Sequence, residues 1–218
     1  LASHESLTLD RFSKRSSLLS QFDQAQASLS TARVDSYDKF QQRALSLVTS
    51  SGAREALDIS REPATIRDRY GRHLFGQSAL MARRLVEAGT RFVTVHYDCV
   101  DGYSWDSHRN CQTLDKHLLP TTDQALSALL TDLDDRGLLD ETLVVCMGEM
   151  GRTPKASSAW GRGHWSTLFP AVLAGAGIRR GGLHGQSDSD AGYAVTKPVS
   201  PEDLAATIYH ALGIDHEI

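Results

Sequence analysis

The 218-residue sequence predicts an α/β fold, a mostly parallel sheet flanked by helices. The first observation behind this is an alternation of patterns. A β-branched and aromatic run, Arg91 to Tyr97, is followed by a long amphipathic segment, Leu114 to Arg136, and then by a second apolar run, Thr142 to Met147. Strand, crossover helix and strand make one βαβ unit. The second observation is composition: 40% hydrophobic against 23% charged residues is enough apolar material for one good-sized core.

The elements follow in order. From Leu7 to about Val48 the chain is polar and rich in serine and glutamine, with Leu9, Phe12, Leu19 and Phe22, then Val34, Tyr37, Ala44 and Val48, at helical spacing. Two helices broken around Ser28 to Ala32 are expected, and residues 1–68 are expected to form a helical segment on the core, with the α/β domain spanning 69–218. Arg54 to Tyr70 is charged, contains Glu62-Pro63 and reads as a connector. Leu74 to Ala88 reads as a helix stopped by Gly89. Pro120 predicts a kink or a break within the segment 114–136, and Gly137 ends it. Leu168 to Ala174 is a third apolar run. The glycines that follow it, Gly175 to Gly182, lack the Lys-Ser/Thr of a P-loop and read as a turn. Ser200-Pro201-Glu202-Asp203 supplies an N-cap, a first-turn proline and acidic residues for a final helix to about Leu212.

Charge excludes some functions. Lys+Arg 23 against Asp+Glu 27 gives a net charge of -4, with no electrostatic footprint for nucleic acid. The sequence has no apolar run long enough for a membrane span and no export signal. Because it begins with Leu1 rather than Met, it reads as a fragment or a processed product. Cys99, Cys111 and Cys146 match no zinc or redox spacing. Cys146 is expected as a small buried residue, while Cys99 and Cys111 flank a loop and could pair in an oxidising compartment.

The chemistry-bearing residues gather after the strands. In open parallel sheets ligands bind beyond the carboxyl ends of the strands. Trp105-Asp106-Ser107-His108 follows the first strand, and Gly148-Glu149-Met150-Gly151-Arg152-Thr153-Pro154 follows the second. Asp106 and His108, two residues apart in an extended loop, share one side, and oxygen and nitrogen donors of this kind suit a divalent metal. Glu149 is either a further ligand or the partner of Arg152 in a salt bridge. His164 lies in Gly161-Arg162-Gly163-His164-Trp165, at the far end of a loop long enough to suggest function. His96, near a strand end, is a candidate for a supporting contact.

Taken together, these motifs, with Arg69-Tyr70-Gly71-Arg72-His73, Phe75-Gly76-Gln77-Ser78 and Pro198 to Ile208, resemble the domain of unknown function 1501 family, within the alkaline phosphatase and sulfatase-like superfamily. The resemblance runs from about Arg69 to the C-terminus. It implies a three-layer alkaline phosphatase-like domain whose N-terminal part would be a missing partner of this chain. It also implies a metal-dependent hydrolase of small-molecule or polysaccharide sulfate or phosphate esters, and export from the cytoplasm. Asp106 and His108 would match ligands of one metal position, Glu149 the carboxylate of the other, and His164 a late histidine ligand. Arg152 would be the catalytic residue that neutralises the ester oxyanion. The metal would be Zn, Mn or Ca. Two departures stand out: Met150 occupies a position where many superfamily members carry histidine, and no hydroxyl nucleophile is evident at a strand end. The first motivates the alternative of a non-catalytic scaffold or carbohydrate-surface binding domain with a degenerate site.

Overall fold

The computed structural model describes residues 10, 13, 14, 17, 51–97 and 104–215, in two compact units, Leu1–Asp58 and Ile59–Ile218. In the first unit Asp10, Ser13, Lys14 and Ser17 are helical, and helix α1 spans Ser51–Leu57. The remainder of the expected helical region 7–48 lies outside the described residues, as do Cys99 and the start of the loop after Tyr97.

The second unit is built on three helices, α2 (Ala64–Tyr70), α3 (Leu74–Glu87) and α4 (Leu118–Asp135). The expected connector over 54–70 is therefore largely helical. Pro63 stands at the N-cap of α2, where its fixed φ starts a helix, and Ile66 and Tyr70 one turn apart give that helix an apolar face on the core. On α3 the buried residues Gly76, Ala79, Leu80 and Arg83 recur at three- and four-residue spacing, and on α4 Ala125, Ala128 and Asp132 do the same. Tyr70, Ala79, Leu80, Ala125 and Ala128 form the core cluster, with Ile66, Phe75 and Leu129 against it. The α3 helix opens with His73 Nδ1 accepting from the Gly76 N–H (3.1 Å). It closes with Gly89 at φ 92°, which lets the Thr90 N–H reach the Leu85 carbonyl (2.9 Å). Pro120 marks a break rather than a kink. A 3-10 turn over Cys111–Lys116 precedes α4, and Pro120 sits in the first turn of that helix, where its missing N–H costs nothing.

A buried ion network ties these helices together. Arg83, 1% exposed, meets Glu62 (Nη2 to Oε1, 2.9 Å), Glu87 (Nη1 to Oε2, 2.6 Å) and Asp132 (Nε to Oδ2, 2.9 Å). Asp132 also accepts from the Tyr70 hydroxyl (3.0 Å) and pairs with Arg136 (2.8 Å), and Glu62 pairs with Arg84. Burial pushes the Glu62 and Asp132 carboxyls up, but the arginine contacts outweigh it and hold both below their ordinary values.

The sheet differs from expectation. Strand β1 (Val144–Met147) pairs antiparallel with β4 (Ala171–Ala174), β2 (Gly151–Arg152) with β3 (His164–Trp165), and β5 (Gln186–Ser187) with β6 (Ala194–Thr196). The described residues thus form a mixture of helices and short antiparallel pairs, with no parallel sheet among them. The expected strand Arg91 to Tyr97 has a strand's pattern without a strand's partner. Its burial alternates, with Val93, Val95 and Tyr97 half-buried and Phe92, Thr94 and His96 exposed, and its backbone makes no hydrogen bond to a described backbone group. Cys146 in β1 is half-buried rather than buried, and Cys111 carries a free thiol. The final helix, α5 (Pro201–Ala211), matches its sequence signals: Ser200 Oγ accepts from the Asp203 N–H (3.1 Å) while Asp203 Oδ2 accepts from the Ser200 N–H (2.9 Å), a reciprocal cap. No helix of the described residues is long and apolar enough to cross a membrane.

Candidate metal centre

The helical core reaches the site through a ladder of aromatic rings. Phe75 of α3 stacks on Tyr97 (centroids 4.2 Å apart), and Tyr97 meets Trp105 edge-on (6.0 Å). Trp105 precedes Asp106, so packing at the start of α3 fixes where this loop stands. Local polar contacts then fold it: the Asp106 N–H donates to Ser104 Oγ (3.1 Å), the Ser107 N–H to the Trp105 carbonyl (2.9 Å) and the His108 N–H to the Asp106 carbonyl (3.1 Å).

A second loop, 153–163, closes on the first. The Asn110 N–H donates to the Ala159 carbonyl (3.1 Å), the Cys111 N–H to Trp160 (2.8 Å) and the Arg162 N–H to Ser107 (3.0 Å). The two backbones touch at Gly161, where a Cβ would lie 1.7 Å from the His108 carbonyl oxygen, so any larger residue would force them apart. Within the second loop Arg162 Nη1 donates to the Thr153 and Pro154 carbonyls (both 2.6 Å), and the Thr153 N–H donates to the Gly163 carbonyl (3.0 Å). The β2–β3 register then sets Arg152 opposite His164. Gly151 allows this pair to lie tight on the chain beyond it, because a Cβ there would sit 1.8 Å from the Leu168 carbonyl oxygen.

The result is a triangle of ligand atoms. Asp106 Oδ1 lies 3.1 Å from His108 Nε2 and 3.0 Å from His164 Nε2, and the two Nε2 atoms are 3.1 Å apart. Protons alone serve this triangle poorly. With both Nε2 atoms protonated, the rings donate to Oδ1 but oppose each other as donors; with either proton moved to Nδ1, a nitrogen lone pair faces the carboxylate. A divalent cation fits it. Donors bound at ~2.1 Å are separated by about 3.4 Å on a tetrahedron and about 3.0 Å across neighbouring octahedral positions. Two histidines and one carboxylate on one side of an ion leave its other positions open to water or substrate. Asp106, His108 and His164 are also the one group among the described residues whose donor atoms converge enough to hold a metal.

Arg152 completes the charge balance. Its Nη1 lies 2.6 Å from Asp106 Oδ1, buried and off the hydrogen-bond axis. The Arg152 contact, and after it the His164 ring, hold the Asp106 carboxyl down at about 2. Of the residues expected at a metal, the structure brings together Asp106, His108 and His164, with Arg152 against them. Glu149 stands outside the triangle, its side chain 71% exposed and its Oε1 4.0 Å from Arg152 Nη2. His96 is exposed and outside the group. Arg162 was not singled out by the sequence reading, yet it clamps two carbonyls of the loop that carries His164. The glycines on either side of it, Gly161 and Gly163, were the available signal.

Among curated proteins and among solved structures, no match to this chain is found. The family model described as "Protein of unknown function (DUF1501)" matches residues 1–218, which takes residues 1–68 into the family along with the segment beginning at Arg69, and the chain belongs to that family.

Proposed function

We propose that the chain carries the metal centre of a hydrolase acting on sulfate or phosphate esters. The observation that supports this reading is the Asp106–His108–His164 triangle with its 3.0–3.1 Å edges. In this reading Asp106 Oδ1 and the two Nε2 atoms hold a divalent ion, Zn, Mn or Ca. When bound, the ion polarises an ester oxygen as a Lewis acid. The chain's own residues do the remainder. Each histidine presents Nε2 as a lone pair, which places its own proton on Nδ1. Arg152 offers a planar, permanently charged fork to the developing oxyanion. The side chains of all three ligands are about half exposed, at 54–55%, which suits an ester carried on a bulky group such as a polysaccharide.

The finer placement belongs to the same proposal. Arg91 to Tyr97, with a strand's alternating burial and no described partner, supports a larger alkaline phosphatase-like sheet, completed by polypeptide outside the described residues. Glu149 would then serve a second metal position, and export follows from the superfamily resemblance. The attacking group in this reading is a water or a hydroxyl outside the described residues. Thr153 is unsuited to the role, because its Oγ1 donates to the Lys155 carbonyl (3.1 Å) and accepts from the Gly163 N–H (3.1 Å).

That engagement of Thr153, with Met150 in place of a histidine, favours the second reading, a scaffold or carbohydrate-surface binding domain that keeps a degenerate site. Turnover separates the two. The protein is assayed on aryl sulfates and aryl phosphates with Zn²⁺, Mn²⁺ or Ca²⁺, and again with chelator. Hydrolysis that chelation and His164→Ala both abolish supports the hydrolase; absence of any chelator-sensitive hydrolysis overturns it in favour of the scaffold.

A further inference from the structure

The metal-site reading leaves one contact unexplained. Asp106 Oδ1, the oxygen that both imidazoles face, is also the oxygen that Arg152 Nη1 touches at 2.6 Å. One oxygen therefore serves as the vertex of a metal triangle and as the anion of an ion pair. A divalent ion bound there would stand within a few ångström of a guanidinium on the same ligand atom, and like charges so placed repel.

Arg152 has little freedom to avoid this by moving into bulk water. Its side chain is 19% exposed, and its backbone is held in β2 opposite His164. Its Nη1 is buried and lacks a hydrogen bond of good geometry, so its present partner satisfies its charge but not its donor. The next carboxylate is Glu149, whose Oε1 lies 4.0 Å from Nη2 and whose side chain is largely exposed. A guanidinium turned from Asp106 by an incoming cation would thus be a half-buried donor in want of a bidentate acceptor, which is what a tetrahedral oxyanion supplies.

Building on the metal-site reading above, we infer that Arg152 acts as an internal counter-cation for Asp106, competing with a divalent metal for that carboxylate, and that an oxyanion which draws the guanidinium away makes metal and oxyanion bind cooperatively. The linkage is reciprocal: whatever factor sulfate adds to metal affinity, metal adds to sulfate affinity. A site so arranged holds metal weakly without its anionic ligand and firmly with it.

The test is calorimetric titration of Zn²⁺ into the wild-type chain and into Arg152→Gln, each in chloride buffer and in sulfate at matched ionic strength. The expected results are that Arg152→Gln binds Zn²⁺ about fivefold or more tighter than wild type in chloride, and that sulfate tightens wild type by a similar factor and leaves the variant unchanged. Equal affinities in chloride, a weaker variant, or a sulfate effect of the same size in both proteins would overturn the role of Arg152 and leave the metal site standing. Failure of both proteins to bind Zn²⁺ overturns the metal site and this inference together. Circular dichroism of the variant shows whether it folds. If it does not, the wild-type comparison decides by itself: tightening by sulfate supports the linkage, and unchanged affinity overturns it.

Discussion

Two arginines pair with aspartates in this molecule, in opposite settings. Arg83 is 1% exposed among three helices and is surrounded by Glu62, Glu87 and Asp132; Arg136 takes the Asp132 and Glu87 oxygens it does not reach, and Tyr70 shares Asp132 Oδ2 with it. Arg152 stands on a two-residue strand among loops, and its aspartate is half exposed and shared with two imidazoles. In the first network three carboxylates share three arginines, Arg83, Arg84 and Arg136, and the central guanidinium is closed to solvent. In the second, one oxygen is asked to serve three partners. Charge balanced in a core holds helices in register; charge balanced at an open edge, around donors that protons alone serve poorly, is poised for a ligand.

The largest expected effect breaks the first region. Arg83→Met leaves Glu62 and Asp132 buried with fewer partners and is predicted to lower the unfolding free energy by about 3 kcal/mol in urea titration. A loss below ~1 kcal/mol would show that Arg84 and Arg136 suffice, and would weaken the contrast. Acid sharpens the same point. The folded values of Glu62 and Asp132 lie below their ordinary values of 4.5 and 3.8, so their contribution is complete above those values and is lost as pH falls through the lower, folded ones. The urea midpoint is predicted to hold from pH 7 to about 5 and to fall steeply between about pH 4.5 and 3, and to fall less steeply in Arg83→Met.

In the second region the effects fall on binding. Gly161→Ala drives a Cβ into the His108 carbonyl and parts the two loops. It is predicted to weaken Zn²⁺ binding by about tenfold or more, as loss of supporting contacts does at metal sites, with little change in the urea midpoint. The smallest effect on stability is predicted for Asp106→Ala. Its carboxyl is half exposed and its loss costs Arg152 a close partner, so removing it should lower the urea midpoint of the metal-free protein only slightly while abolishing metal binding. A large shift in that midpoint would move Asp106 into the structural class with Asp132.

The comparison also shows what was legible in the sequence. Helices α3, α4 and α5 were readable because three-and-four spacing, Gly89, Gly137 and the Ser200 cap are local signals, and local signals decide helices. The helix over 64–70 was hidden because its face consists of little more than Ile66 and Tyr70 among charges. Arg91 to Tyr97 shows the converse. Its residues carry a strand's alternation, yet no partner stands among the described residues, and pairing is a long-range property that composition does not contain. The antiparallel β1–β4 pair was not legible in the sequence for the same reason. At the site, Asp106 and His108 were legible by spacing and His164 by its glycines. Their convergence with Arg152 depends on the stitching of loop 104–111 to loop 157–162, which no local pattern announces. Glu149, expected at a separate metal position because it follows an apolar strand, lies outside the triangle, as that placement requires.

The measurement that bears most directly on the account is metal retained after equilibration with Zn²⁺ and desalting, for wild type and for Asp106→Ala combined with His164→Ala. The account predicts about one equivalent of zinc on the wild-type chain and none on the double variant, with equal helical content in both, as expected of a single three-ligand site. Zinc absent from the wild type, or retained undiminished by the double variant, would contradict it.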